Sequence, residues 1–129
     1  MKQLTGCTVE GDKKKSTEVS IIPSLNAIAL QKMTVDCKSV GSVHLILQIL
    51  LPLLISAPDS IKLTIKGGTH VAYSPMSASA QFVLFPLLKR MGIKLEYFLK
   101  YFGLFPDMIG LIEIISNPVR AVIFSQLTE

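Results

Sequence analysis

A chain of 129 residues with 13 Lys and Arg against 9 Asp and Glu carries a formal charge of +4, and half of its residues are hydrophobic. That length suits one domain with a real core and is short for an enzyme enclosing two large substrates, so one domain or a piece of something larger is expected. A charge of this size favours polyanion partners only weakly, and the Lys13-Lys14-Lys15 triplet reads first as a solvated loop.

In chain order, Met1 to Thr5 followed by Gly6 reads as the last turn of a helix with its glycine stop, which predicts that the helix begins upstream of the chain. The same residues hold a lysine but no following apolar stretch, so they do not read as a signal peptide and a cytoplasmic protein is expected. Cys7 to Glu10 and Thr17 to Ile22 alternate as short strands around the polar loop Gly11 to Lys15, a β-hairpin closed by Pro23. Cys7 and Cys37 lack metal-ligand spacing and read as free thiols.

Ile28 to Val35 alternates as a strand, and Asp36 to Ser42 is a loop of mostly small residues leading into a helix over Ser42 to Ala57. Ser39 or Ser42 can cap that helix, whose free N–H groups would suit an anion; a capped helix alone is the plainer reading. The helix is apolar on nearly every face and so must be buried. Its apolar run, Val43 to Ala57, holds His44, Gln48 and Pro52 and falls short of the roughly 20 residues a membrane span needs, so no membrane partner is expected. Pro52 predicts a bend or an early helix end near Leu51.

The period-two strand Ser60 to Lys66 runs into Gly67-Gly68, which permit backbone conformations closed to other residues. The loop Thr69 to Pro75 then lies at the end of a β-α-β layer where ligands usually sit. A second helix is predicted from about Ser77 to Met91, with Phe82, Phe85, Leu88 and Met91 on its core face, Pro86 inside it and Gly92 as its stop. Ile93 to Lys100 and Gly110 to Ile115 read as paired strands joined by a turn over Tyr101 to Pro106, and Ala121 to Phe124 as one more short strand. The predicted order is strand, helix, strand, helix, strand, strand: an α/β protein, more narrowly an α+β two-layer sandwich of four strands preceded by a β-hairpin.

Gly41-Ser42 followed by Leu45-Ile46-Leu47-Gln48 and Leu51-Pro52, then Gly67-Gly68-Thr69, then Pro75 and Val83 to Gly92, resembles the RNA 3′-terminal phosphate cyclase family. Ser16-Thr17-Glu18-Val19 with Pro23 resembles the family's G-S-T-E strand, Gly103-Leu104-Phe105-Pro106 its glycine-aromatic-aromatic-proline turn, and Leu127-Thr128-Glu129 also has a counterpart. The resemblance implies a β-α-β-α-β-β repeat similar to the C-terminal domain of translation initiation factor three. Residues 28–117 would form one complete repeat, 1–27 the helix end and hairpin of the repeat before it, and 118–129 a cut C-terminal strand.

The family uses ATP, with Mg2+, to adenylylate a histidine, passes AMP to an RNA 3′-phosphate and releases it as the 2′,3′-cyclic phosphate forms. By resemblance Gln48 contacts the nucleotide, while Ser42, Gly67, Gly68, Thr69 and His70 line the cleft that would meet ATP and the RNA 3′ end. No residue here takes the place of the family's nucleophilic histidine, which would lie beyond Glu129, so no catalytic residue and no protein metal ligand is assigned. The polar motifs also depart from the pattern. Lys38 stands where the loop before the first helix usually has glycine, Ala78-Ser79 where an acidic-aromatic pair is usual, and Pro106 to Gly110 lacks two glycines and a basic residue.

Two functions follow from the resemblance. One is a part of an ATP-dependent RNA cyclase. The other is a non-catalytic cyclase-like module that binds RNA or a partner protein, as in ribosome biogenesis, and self-associates through apolar surface that neighbouring repeats would cover. His70 is open to acid–base work, since a free imidazole titrates at about 6.5, but reads more simply as a solvated side chain. His44, on an apolar helix, reads as a satisfied core residue.

Overall fold

The computed structural model describes residues 6–22, 24, 31–104 and 108–118. The predicted helix end at residues 1–5, the start of the strand at 28–30 and the short strand at 121–124 lie outside them. Strands β1 (Thr8–Glu10) and β2 (Ser20–Ile22) pair antiparallel as the predicted hairpin, shorter at both strands than the alternation suggested. The remaining elements are β3 (Lys32–Asp36), α1 (Val43–Ser56), β4 (Ile61–Gly67), a second helical segment, β5 (Leu95–Tyr101) and β6 (Gly110–Ser116).

These four strands form one sheet in the order β3-β4-β6-β5, with β3 parallel to β4 and the other pairs antiparallel. Alternation along each strand decides which face is buried. Ile61, Leu63 and Ile65 of β4, Ile112 and Ile114 of β6 and Leu95 of β5 point into the core, where they meet Val43, Leu47, Leu50 and Leu54 of α1. The opposite face carries Phe98, Leu111 and Ile115 among mostly polar side chains, and there Glu113 takes Lys62 at 2.7 Å and Lys100 at 3.6 Å. One sheet with helices on one face is the two-layer α+β sandwich that the element order predicts.

Two expectations need correction, both at prolines. The first helix does not end near Leu51; it runs through Pro52 to Ser56. Pro52 itself is exposed, while Leu50 and Leu54 on either side are buried, so packing of the apolar face offsets the missing backbone hydrogen bond. The second helical segment is not uniform. It is made of α2 (Ser77–Ser79), a π-helical stretch Ala80–Leu84, and α3 (Phe85–Arg90).

In the π stretch the Phe85 N–H donates to the Ala80 carbonyl, five residues back. Pro86 explains the change of pitch: it has no N–H to give, and its ring crowds the carbonyl four residues earlier, so a wider turn relieves both. The wider turn aligns Ala80 with Phe85 on the core side, 4% and 6% exposed, and swings Phe82 out to 71%. Phe82 is therefore not on the core face that helical spacing predicts. Gly92 ends the segment as expected: it sits at φ +82°, and its N–H and that of Ile93 return to Lys89 and Leu88, the usual left-handed stop.

Candidate functional site

The loops after β3 and β4 meet at the C-terminal end of the parallel strand pair. Ser42 and Gly68 form a parallel bridge, with Val43 N–H donating to Gly68 O at 3.0 Å and Gly68 N–H to Gly41 O at 2.8 Å. From the other side, Thr69 N–H and His70 N–H both donate to Gly103 O, at 2.9 and 3.1 Å. The glycine loop is thus clamped between the start of α1 and the end of β5. This approach requires glycine: a Cβ on Gly67 would lie 2.5 Å from Gly41 O and 2.8 Å from Cys37 Sγ, and one on Gly103 would meet Gly67 O at 2.6 Å.

Side chains complete the clamp. Thr69, fully buried, accepts the Gly103 N–H at 2.9 Å, and its hydroxyl lies 3.0 Å from His70 Nδ1 and 3.2 Å from Gly103 O. The Thr69 hydroxyl donates to the Gly103 oxygen, and the direction of its contact with His70 Nδ1 follows the histidine tautomer. His70 is half-buried with its ring 5.5 Å from that of Phe102. Ser42 caps α1 by accepting Leu45 N–H at 3.4 Å, whereas Ser39 donates to Cys37 O. Lys38, where the family pattern has glycine, holds the left-handed φ of +51° that glycine would take freely, with its N–H on Asp36 Oδ1 at 2.8 Å. Burial, and then the Asp36 charge, push the Cys37 thiol up from its ordinary range, away from the reactive thiolate.

Gln48 lies elsewhere. One turn beyond His44 on α1, it lines a groove of about 350 Å³ between α1 and the second helical segment, with His44 and Ser79 as the other polar residues. Leu47, Pro75, Ala80, Val83, Leu84 and Leu87 supply the apolar walls. None of Ser42, Gly67, Gly68, Thr69 or His70 lines it. The structure therefore brings the five loop residues together and sets Gln48 apart. A larger hollow of about 440 Å³, among Lys89, Lys94, Glu96 and Asn117, involves none of these residues.

His44 joins the two regions. It is 2% exposed, its Nε2 lies 3.0 Å from the Tyr97 hydroxyl, and among the described residues its Nδ1 has no partner, so it is a core histidine only half satisfied there. Burial first, and then the charge of His70, pull its pKa from 6.5 down to about 4. Burial raises the Tyr97 phenol, which also meets the Ser77 hydroxyl. Sequence reasoning gave no site role to Tyr97, Ser77 or Gly103; Tyr97 showed only inward alternation on β5, Ser77 only a helix start, and Gly103 only its place in the glycine-aromatic-aromatic-proline turn.

The family profile of RNA 3′-terminal phosphate cyclase matches residues 1–126. The chain belongs to that family. Among curated cyclases, that of Ignicoccus hospitalis is 35% identical over 93% of this chain and 33% of its own length. The Methanosarcina barkeri protein is 37% identical over 88% of the chain and 34% of its own length, and that of Gloeothece citriformis 41% over 77% and 30%. The chain thus spans about a third of the length of the curated cyclases it matches.

The groove's chemistry can be set against the nucleotide that the cyclase family implies. Walls of Leu, Val, Ala and Pro with three polar side chains suit a planar, uncharged base. Among the described residues no Lys or Arg lines it, so these walls offer the phosphates no counter-charge. Among the described residues no three His, Cys, Asp or Glu side chains converge on a metal-binding group, and no helix is long and apolar enough to cross a membrane.

Proposed function

We propose that this chain forms a cyclase-like unit of an RNA-processing protein, whose groove between α1 and the second helical segment receives the base of ATP. The family reaction is the ATP-dependent conversion of an RNA 3′-phosphate to a 2′,3′-cyclic phosphate. One observation carries the reading: Gln48, the residue the resemblance assigns to the nucleotide, is one of three polar side chains in an otherwise apolar groove of about 350 Å³. Bound there, ATP would supply the activated AMP, its Mg2+ would travel with the phosphates, and the RNA 3′ end would approach along the glycine loop. This chain's own residues hold the base and keep water from it.

The chain by itself is proposed to form no enzyme–AMP. Adenylyl transfer needs a nucleophile held with its orienting partners. His44 is buried against Tyr97, and the Nδ1 of His70 is taken by Thr69. Calorimetric titration with ATP tests the groove: saturable binding that Gln48→Ala weakens about tenfold or more is expected, the usual effect of losing a specific polar contact. Binding unaffected by that change would sink the reading. Incubation with labelled ATP and Mg2+ tests the second part, where a stoichiometric acid-labile adduct is the overturning result.

The non-catalytic reading is favoured by a separate observation. Leu45, Ile49, Phe82 and Val83 on the helical layer are 46%, 60%, 71% and 64% exposed. Such a surface is suited to self-association or to a partner protein. Sedimentation at rising concentration measures it, and a monomer throughout would count against it.

A further inference from the structure

Charge is divided between the two faces of the sandwich. From Ser39 to Pro58 and from Gly67 to Leu88 the sequence has no Asp, Glu, Lys or Arg. Those stretches supply all of α1 and all of the second helical segment except Lys89 and Arg90 at its end. The outer face of the sheet, by contrast, holds Lys62, Lys66, Lys100 and Glu113. A helix that meets water ordinarily does so through charged and polar residues. On α1 the row Leu45, Gln48, Ile49 and Pro52 is exposed and uncharged. On the second segment Phe82, Val83 and Leu87 are 71%, 64% and 41% exposed.

The chemistry of this face restricts what can cover it. Without Lys or Arg it has nothing to pair with RNA phosphates. Two copies meeting through their sheets would set lysine against lysine. Meeting through their helices, they keep the charge of +4 on each copy to the outside and bring only neutral groups together. The face also complements itself. It carries a projecting ring, Phe82, and a recess of about 350 Å³ walled by Leu47, Val83, Leu84 and Leu87, with room for such a ring. A closed two-fold dimer needs one patch that supplies both. Two segments about 20 Å long and about 10 Å wide offer on the order of 500 Å² per copy, the small end for a stable dimer, so dissociation at micromolar concentration is expected.

We infer that the helical layer is an interface between two copies of this chain, helices inside and sheets outside, with the ring of Phe82 from each copy seated in the groove of the other. This rests on the self-association reading given above and not on the nucleotide one. A phenyl ring and a nucleobase exclude each other from the groove, so the dimer and a nucleotide complex are alternative states. The π turn acts here too: it turns Phe82 out of the core face and makes it the anchor.

Sedimentation equilibrium of the full chain is expected to show monomer and dimer. Phe82→Asp is expected to weaken the dimer at least about thirtyfold, as for a central aromatic anchor, with the urea midpoint little changed because the residue is exposed. Ile22→Asp, on the exposed apolar side of the hairpin, is expected to leave the dimer intact. A photoreactive benzophenone side chain at position 82 is expected to cross-link to Gln48 or Leu87 of a second copy. A dimer that Phe82→Asp leaves unchanged, a dimer lost in Ile22→Asp alone, or cross-links to the sheet or hairpin overturns this interface and leaves self-association standing. Assemblies that keep growing past the dimer overturn the two-fold pairing in the same way. A monomer at every concentration removes the self-association reading, and this inference with it.

Discussion

The two helical segments each carry an internal proline and answer it differently. In α1, Pro52 is absorbed without a change of pitch; in the second segment, Pro86 is preceded by a π turn that rotates the residues before it. The difference lies in what each helix packs against. Val43, Leu47, Leu50 and Leu54 are at most 4% exposed, so α1 is gripped along its whole length and cannot turn. Of the π stretch only Ala80 is buried, so the backbone there is free to open. Burial, more than local propensity, decides whether a proline distorts a helix. The consequence is functional, because Ala80, Val83 and Leu84 of the π stretch form one wall of the groove and the rigid α1 forms the other with His44, Leu47 and Gln48.

The largest effect that separates the two walls is core loss. Leu47→Ala is expected to destabilise the fold by about 2–5 kcal/mol, the range for truncating a fully buried leucine. Leu87→Ala, at a residue 41% exposed, is expected to cost under about 1 kcal/mol. Urea midpoints compare them directly. Similar costs for both would remove the distinction between a gripped wall and a loose one.

Next comes acid. His44, on the gripped wall, has a folded pKa lowered to about 4 from 6.5, so the unfolded chain binds its proton more readily than the folded one. Stability from this group is complete above the unfolded value, falls as pH drops from about 6.5 to about 4, and is level below; the loss is on the order of 3 kcal/mol. Glu113, held below the ordinary carboxylate range first by its hydrogen bond to Lys62, loses its contribution only at lower pH, as pH falls through its depressed pKa. Unfolding curves between pH 4 and 7 check the window. His44→Leu is expected to flatten them, and an unchanged slope in that variant would assign the effect to another group.

Much of the frame was legible in the sequence because it rests on periodicity: the period-two strands, the apolar α1 and the Gly92 stop all appear where alternation and glycine place them. The site was legible only in pieces. Gly67-Gly68 announced a close backbone approach, but nothing local says that Gly103 is the partner, since that contact is made between distant loops. Spacing placed Phe82 on the core face because a period of 3.6 was assumed through Pro86, and the π turn breaks that period just ahead of the proline. His44 looked satisfied because sequence gives no count of donors; among the described residues its Nε2 meets the Tyr97 hydroxyl and its Nδ1 meets none.

The smallest effect in stability is the sharpest test of the two prolines, since it exchanges each for alanine. Pro52→Ala restores an N–H at a position where the helix already has α geometry, so the gain is the missing backbone bond less the entropy that proline removes from the unfolded chain. A net stabilisation of about 1 kcal/mol is expected, with groove binding unchanged. Pro86→Ala removes the ring that crowds the Phe82 carbonyl, and the π turn loses its cause. Reversion to α geometry would rotate Phe82 inward and carry Ala80 and Val83 off the groove wall, so a stability change within about 1 kcal/mol is expected together with loss of nucleotide binding. If the Pro86 variant binds as the wild-type chain does, the π turn is held by the packing of Ala80 and Phe85 rather than by the proline. The contrast between the two helices would then belong entirely to what they bury.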